Sequence, residues 1–261
     1  MRIIDTHSHL YVPEFSEDIA DVVERAQAAA VEKVLLPNIN AESVGEMLAL
    51  CRCWPDFFYP MMGLHPTDVK EDYEKVLDEM EQLLSDPHPF IAIGEVGLDY
   101  YWDKTYFEEQ KRALKRQIGW AICKGLPLMI HTRSAHQELM ELLSCYKNHS
   151  LTGVFHSFCG TKEEATELLE FEGFMLGING VLTFKNSQLG QVLKEVPLDR
   201  VVIETDAPYL TPVPFRGKQN SSKYIPYIAD EVARILNISI EEVARITTLN
   251  ACELFDLPID L

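Results

Sequence analysis

Basic residues are scarce in this chain: 23 lysines and arginines stand against 41 aspartates and glutamates, a formal charge of −18. Non-specific capture of duplex nucleic acid rests on Lys and Arg, so a surplus of this sign excludes it. Any anionic ligand must be attracted by a local arrangement. Paired cysteines are lacking too. None of the six cysteines forms a CxxC, and Cys51, Cys123, Cys145, Cys159 and Cys252 are dispersed among apolar neighbours. Cys51 and Cys53 are two apart, a spacing that does not face on a helix, so buried thiols are expected rather than a metal pair. No apolar run approaches the ~18 residues of a membrane span. The opening MRIIDTH is too short and polar for a secretory leader, so a cytoplasmic location is expected. Low-complexity tracts, long linkers and composition breaks are missing as well. One domain over residues 1–261 is therefore expected, a size that α/β barrels reach at about 250 residues.

What is present is alternation. Eight short apolar runs, 2–9, 33–39, 57–64, 90–95, 127–131, 152–157, 173–179 and 200–206, are separated by segments of helical period. Tyr73, Val76, Leu77, Met80, Leu83 and Leu84 make one apolar stripe; Ala135, Leu139, Leu142, Leu143 and Tyr146 make another. Ser134-x-x-Gln137, Thr161-x-x-Glu164 and Ser239-x-x-Glu242 read as capping boxes. The stretch 207–222 reads as a long loop, followed by helices over 222–236 and 239–255. Strand alternating with helix implies a parallel sheet, either open or closed into a barrel.

The chemistry of the run ends chooses between them. On an extended strand Asp5, His7 and His9 share a face. Glu95 ends the fourth run, His131 the fifth, His156 the sixth and Asp206 the eighth, and His65 lies just past the third. In an open sheet the first and eighth runs would lie roughly 30 Å apart at ~4.8 Å per strand, too far to share an ion. Closure into a TIM (β/α)8 barrel makes them neighbours, with their C-terminal ends lining one mouth.

Six N and O ligands exceed what one catalytic zinc takes and suit two divalent ions. The expected partition has Glu95 bridging, His7, His9 and Asp206 on one ion, and His131 with His156 on the other. Zn, Mn, Ni or Mg fits such a cysteine-free set. Asp206 is placed to accept a proton from water. Glu204, sharing a face with Asp206, and Asp5 are expected to support the ligands from behind. Arg133 and the Arg216/Lys218 pair could neutralise a phosphodiester, and Tyr100, Tyr101 and Trp102 could stack on a base. His88, His136 and His149 are expected at the surface.

The motifs DTHSHL, GLHP, GEVGLDYYWDKT, IHTR, FHSF, ETDAPYLTP and PFRGKQN resemble the TatD deoxyribonuclease family, within the amidohydrolase-type hydrolases. The resemblance runs from Ile3 to about Asn250. It implies a divalent-metal-dependent nuclease trimming DNA from 3′ ends, with RNA as a further substrate, and with His7, His9, Glu95, His131, His156 and Asp206 as ligands and His65 on the scissile phosphate. DNA or a short oligonucleotide is thus the expected partner, with no membrane and no obligate protein partner. The basic motif departs from the family's usual RGKRN, one positive charge being missing at Gln219. Two other readings compete: a small-molecule hydrolase of the same barrel acting on a lactone, amide or aminated ring, and a scaffold whose metals only stabilise it. Structural zinc sites are closed and often contain cysteine, which disfavours the scaffold.

Overall fold

The computed structural model describes residues 1–258 apart from 17, 86, 103 and 104. The last three positions of the expected domain, and Asp103 and Lys104 of the DYYWDKT segment, lie outside the described residues. Eight strands form one parallel sheet in sequential order: β1 (Ile3–Asp5), β2 (Val31–Pro37), β3 (Phe58–Met62), β4 (Ala92–Asp99), β5 (Leu128–Arg133), β6 (Gly153–Phe155), β7 (Phe174–Ile178) and β8 (Val201–Ile203). Each lies within or overlaps one of the eight apolar runs.

The seam between β8 and β1 is closed just beyond the strands themselves. Thr6 N–H donates to Ile203 O at 3.2 Å, Asp206 N–H to His7 O and His9 N–H to Ala207 O, both at 2.8 Å. The barrel is nearly closed, and the residues that close it are those expected to bind metal.

One apolar side chain from each strand fills the interior: Ile4, Leu35, Met61, Ala92, Met129, Val154, Met175 and Val202. Burying such residues contributes about 1.5–3 kcal/mol each, so the cylinder is a packed core and not a pore. The helices are α1 (Ile19–Ala28), α2 (Ser43–Cys53), α3 (Tyr73–Leu83), α4 (Phe107–Lys124), α5 (His136–Ser144), α6 (Lys162–Leu169), α7 (Leu189–Leu193), α8 (Ile225–Leu236) and α9 (Ile240–Phe255). Cys252 and Phe255 of α9, with Leu257, seal one end of the interior against Ile4 and its ring of neighbours.

Local signals held in part. Thr161 and Glu164 make the full capping box, and Ser239 accepts from Glu242 N–H at 3.1 Å. The Ser134 box does not form. Ser134 takes a left-handed φ of 54°, and α5 starts after Ala135 without a side-chain cap. Tyr73, Leu77, Met80 and Leu84 are buried as the stripe requires, whereas Leu83 is 47% exposed. Of the cysteines only Cys51 and Cys252 are buried; Cys53, Cys123, Cys145 and Cys159 are exposed free thiols, correcting the expectation of burial. His149 is exposed as expected, but His88 and His136 are half-buried, and His136 Nε2 meets Glu167 at 2.9 Å.

Candidate metal centre

Strand alternation delivers three of the histidine and carboxylate positions directly. Met129, Val154 and Val202 point into the barrel, so His131, His156 and Glu204, two residues beyond each, point into its mouth, and Asp206 follows through a left-handed backbone position with φ 56°. The first strand breaks this rule. With Ile4 inward, Asp5, His7 and His9 would all face the helices. Asp5 does: its carboxylate accepts from Thr205 N–H at 2.8 Å and from the Thr205 and Ser222 hydroxyls at 2.6 Å. His7 and His9 do not, because β1 ends at Asp5 and the chain re-pairs with the segment after β8. The three therefore do not share a face, and Asp5 touches no ligand side chain, contacting only the His7 backbone at 3.5 Å. Glu95 enters by a similar device, the β4–β5 register shifting between Ile93 and Val96.

The result is a dense cluster. Ligand atoms of His7, His9 and Glu95 lie within 4.8 Å of one another, as do those of His7, His156 and Asp206, and of His65, Glu95 and His131. His7 Nε2 stands 3.2 Å from both His9 Nε2 and Glu95 Oε2. Atoms bound to one ion at 2.0–2.1 Å are roughly 3.0–3.5 Å apart, so this spacing fits a shared cation.

Tautomers sharpen the assignment. The Tyr11 hydroxyl donates to Pro37 O, so at 3.0 Å it accepts from His9 Nδ1–H and leaves a lone pair on His9 Nε2. His156 Nδ1 faces Glu204 Oε1 at 2.9 Å, which leaves His156 Nε2 free beside Asp206 Oδ1 at 3.9 Å. His65 is the reverse. Its Nδ1 accepts from Thr67 N–H at 3.2 Å and meets the Thr67 hydroxyl at 2.7 Å, and its Nε2 stands 3.3 Å from Glu95 Oε1. With the proton on Nε2 that nitrogen donates a hydrogen bond; without it, it is a third donor beside Glu95 and His131.

His131 lies between two carboxylates, Nδ1 at 2.9 Å from Glu95 Oε1 and Nε2 at 3.0 Å from Asp99 Oδ2. His131 Nδ1 and His156 Nε2 both face Glu95 Oε1, at 2.9 and 3.8 Å, and His156 also stacks on His7 at a centroid distance of 3.4 Å. Asp99, Tyr11 and Thr67 were missed from sequence. Only Asp99 left a signal, lying two alternations past Glu95 on β4.

Charge distribution agrees with a cation site. Burial pushes the Glu95 carboxyl up, but His65, His7 and His156 outweigh it and hold it well below the usual range. Burial raises Asp206 to about 6 against the pull of His156 and His9. Burial and the neighbouring His156 keep His7 well below the ordinary imidazole value. His156 is driven up to about 10, Glu204, Glu95 and Asp206 overcoming its desolvation. A spot that holds a proton this tightly is one where positive charge is strongly favoured. Among the described residues His7 Nδ1 has no hydrogen-bond partner. The donor set and its free lone pairs fit divalent metal.

A model of the family described as TatD related DNase matches residues 4–256. The chain belongs to the TatD family. It is 37% identical over 254 residues to the Bacillus subtilis uncharacterized metal-dependent hydrolase YabD, covering 97% of this chain and 98% of that one. Identity is 31% over 261 residues to the 3′-5′ ssDNA/RNA exonuclease TatD of Pectobacterium carotovorum, covering 98% of this chain and all of that one (100%). The crystal structure of YjjV, a TatD homologue from Escherichia coli, superposes with a TM-score of 0.92 at 30% identity, covering 98% of this chain and 99% of that one. A metal-dependent hydrolase of this barrel type is thereby shown. Among the described residues no helix is long and apolar enough to cross a membrane.

The TatD-family centre opens into a cleft of about 1020 Å³ lined by His65, Glu95, Arg133, His156, Asp206 and Trp102, among others. Arg133 reaches it as expected, but lies 3.9 Å over the Tyr101 ring and 5.1 Å from Trp102. Arg216 and Lys218 do not line it. Arg216 packs over Phe184 at 3.9 Å, and Lys218 stands 5.7 Å over Phe215. Tyr100 is buried and stacked on Phe107 at 3.8 Å, so its role is packing.

Proposed function

We propose that this TatD-family hydrolase cleaves phosphodiester bonds of single-stranded DNA, and also RNA, from the 3′ end. The observation that carries the reading is the set of imidazole and carboxylate atoms converging at the mouth beside Arg133. His7, His9, Glu95 and Asp206 would hold one divalent cation; Glu95 and His131 would hold a second, with His156 joining His7 and Asp206. Such ions, when bound, supply positive charge at the reacting phosphate and acidify water towards neutrality.

The protein's own groups do the rest. Asp206, at the mouth among the ligand atoms, is suited to accept a proton from the attacking water. The His65 Nε2–H can donate to a non-bridging phosphate oxygen, since its other nitrogen is committed to Thr67. Arg133 brings a guanidinium to the cleft wall in an otherwise acidic protein.

A small-molecule hydrolase is the second reading, and one observation favours it: Arg216 and Lys218 stand outside the cleft, leaving less positive charge for a polyanion. The test uses chelator-stripped protein resupplied with Mg²⁺, Mn²⁺ or Zn²⁺ and a 5′-labelled single-stranded oligonucleotide. A ladder shortening from the 3′ end with metal, and none with EDTA, is expected. Absence of shortening with every ion, together with turnover of a lactone or amide panel, would replace the nuclease reading.

A further inference from the structure

Two large aromatic side chains line the cleft in an unusual state of exposure. Trp102 is 68% exposed and Tyr209 56%. Rings of that size normally bury most of their area, so both are candidates for contact with something else. Their placement is regular. Trp102 lies three residues past Asp99 and accepts its position from that carboxylate, with Tyr101 N–H and Trp102 N–H donating to Asp99 Oδ1 at 2.9 and 3.3 Å. Tyr209 lies three residues past Asp206, whose carbonyl accepts from Tyr209 N–H at 2.8 Å.

Trp102 follows β4 and Tyr209 follows β8. In a barrel of eight sequential strands these are four strands apart in either direction, so the two rings stand on opposite walls with the metal centre between them. Arg133 lies against the aromatic face on the Trp102 side and, among the described residues, is partnered by rings and not by a carboxylate.

We infer that Trp102 and Tyr209 are paired stacking platforms for two nucleobases flanking the scissile phosphate. The inference rests on the nuclease reading above. Aromatic faces accept every base, and a base can reach such a platform only when it is unpaired. The pair therefore selects single strands without selecting sequence. Acidic charge across the molecule repels a duplex backbone, while the rings recover affinity from a base that has no partner.

The experiment compares two 5′-labelled single-stranded substrates: a natural oligonucleotide, and one whose two 3′-terminal residues are abasic tetrahydrofuran units. Wild type is expected to show a KM lower for the natural substrate by the product of two stacking contacts, each roughly 5- to 100-fold. Trp102→Ala and Tyr209→Ala should raise KM for the natural substrate by that order and leave KM for the abasic one in place. Trp102→Phe and Tyr209→Phe should restore the difference, since a ring is needed and neither the indole N–H nor the hydroxyl is. Tyr227→Ala, at an exposed ring away from the cleft, serves as the control. Equal KM changes on both substrates, or none on either, would overturn the platforms while the nuclease reading survives. Failure of wild type to shorten the natural oligonucleotide would remove both.

Discussion

Glu204 Oε1 stands 2.9 Å from His156 Nδ1, and the two side chains are 0% and 3% exposed. The same oxygen accepts from Ser157 N–H at 2.6 Å, so the carboxylate fixes both the tautomer and the backbone of the ligand-bearing turn. Glu204→Gln should keep an acceptor but lose the charge that makes His156 basic, lowering divalent-metal affinity by roughly 10- to 100-fold. Chelator competition reads this directly. Gly177 offers an independent route to the same effect, because a Cβ there would lie 2.4 Å from Glu204 Oε2. Gly177→Ala should displace the carboxylate and weaken metal binding, whereas Gly119→Ala in α4, with nothing within 4 Å, should leave it intact. Metal affinity unaltered by both Glu204→Gln and Gly177→Ala would mean that Glu204 has no part in holding His156.

His65 and His9 make opposite predictions from the same residue type. His9 Nδ1 is committed to the Tyr11 hydroxyl, leaving its Nε2 to a cation, whereas the Thr67 N–H on His65 Nδ1 favours a proton on its Nε2. His9→Ala should lower the metal content of the purified protein, measured by elemental analysis. His65→Ala should leave content unchanged and lower turnover by about 10²-fold, the usual scale for removing a positioned hydrogen-bond donor. Loss of metal in His65→Ala would show that its tautomer is not the one set by Thr67.

Asp99 has two tasks, orienting His131 through Nε2 and holding the 101–102 backbone. Asp99→Asn keeps one oxygen, enough for the loop N–H groups that share Oδ1 but not also for the His131 N–H that meets Oδ2, and should lower metal affinity while leaving KM near normal. Asp99→Ala removes both and should lower affinity and raise KM together. An Asp99→Ala enzyme with normal KM would separate the loop from the carboxylate.

Much of this centre was legible because a barrel makes distant strand ends converge, so chemistry recurring at the ends of apolar runs is itself a topological signal. His131 on β5 and His156 one residue past β6 follow from alternation, whereas Asp206 is three residues past β8 at a left-handed φ of 56°. His7 and Glu95 do not follow from it. Both sit where the ladder is interrupted; their chemistry singled them out, while the face assigned to His7 did not hold. Asp5 was misplaced for that reason. Arg216 and Lys218 show a further limit: a motif places them after the last strand, but whether a long loop turns its charges inward depends on contacts such as Phe184 that no period encodes. The ring nitrogen each histidine presents is set by contacts with Tyr11, Thr67, Asp99 and Glu204 from four separate segments, which no motif encodes.

Asp5 ties the first strand to Thr205 and, through Ser222, to the turn that leads into α8. Burial raises its pKa from the ordinary 3.8 to about 7, opposed by the Ser222 and Thr205 donors. The folded protein therefore holds this proton more tightly than the unfolded chain does. Its contribution to stability is complete below about pH 4 and is lost as pH rises through 7. A hydroxyl donor favours the charged form, so removing one costs more where the carboxylate is charged. Ser222→Ala should destabilise by about 1.5–3 kcal/mol at around pH 8.5 and by about 1 kcal/mol at around pH 5.5. Urea unfolding of metal-stripped protein at the two pH values measures the difference. A cost that is the same at both, or larger in acid, would mean that Asp5 does not change its charge across that interval.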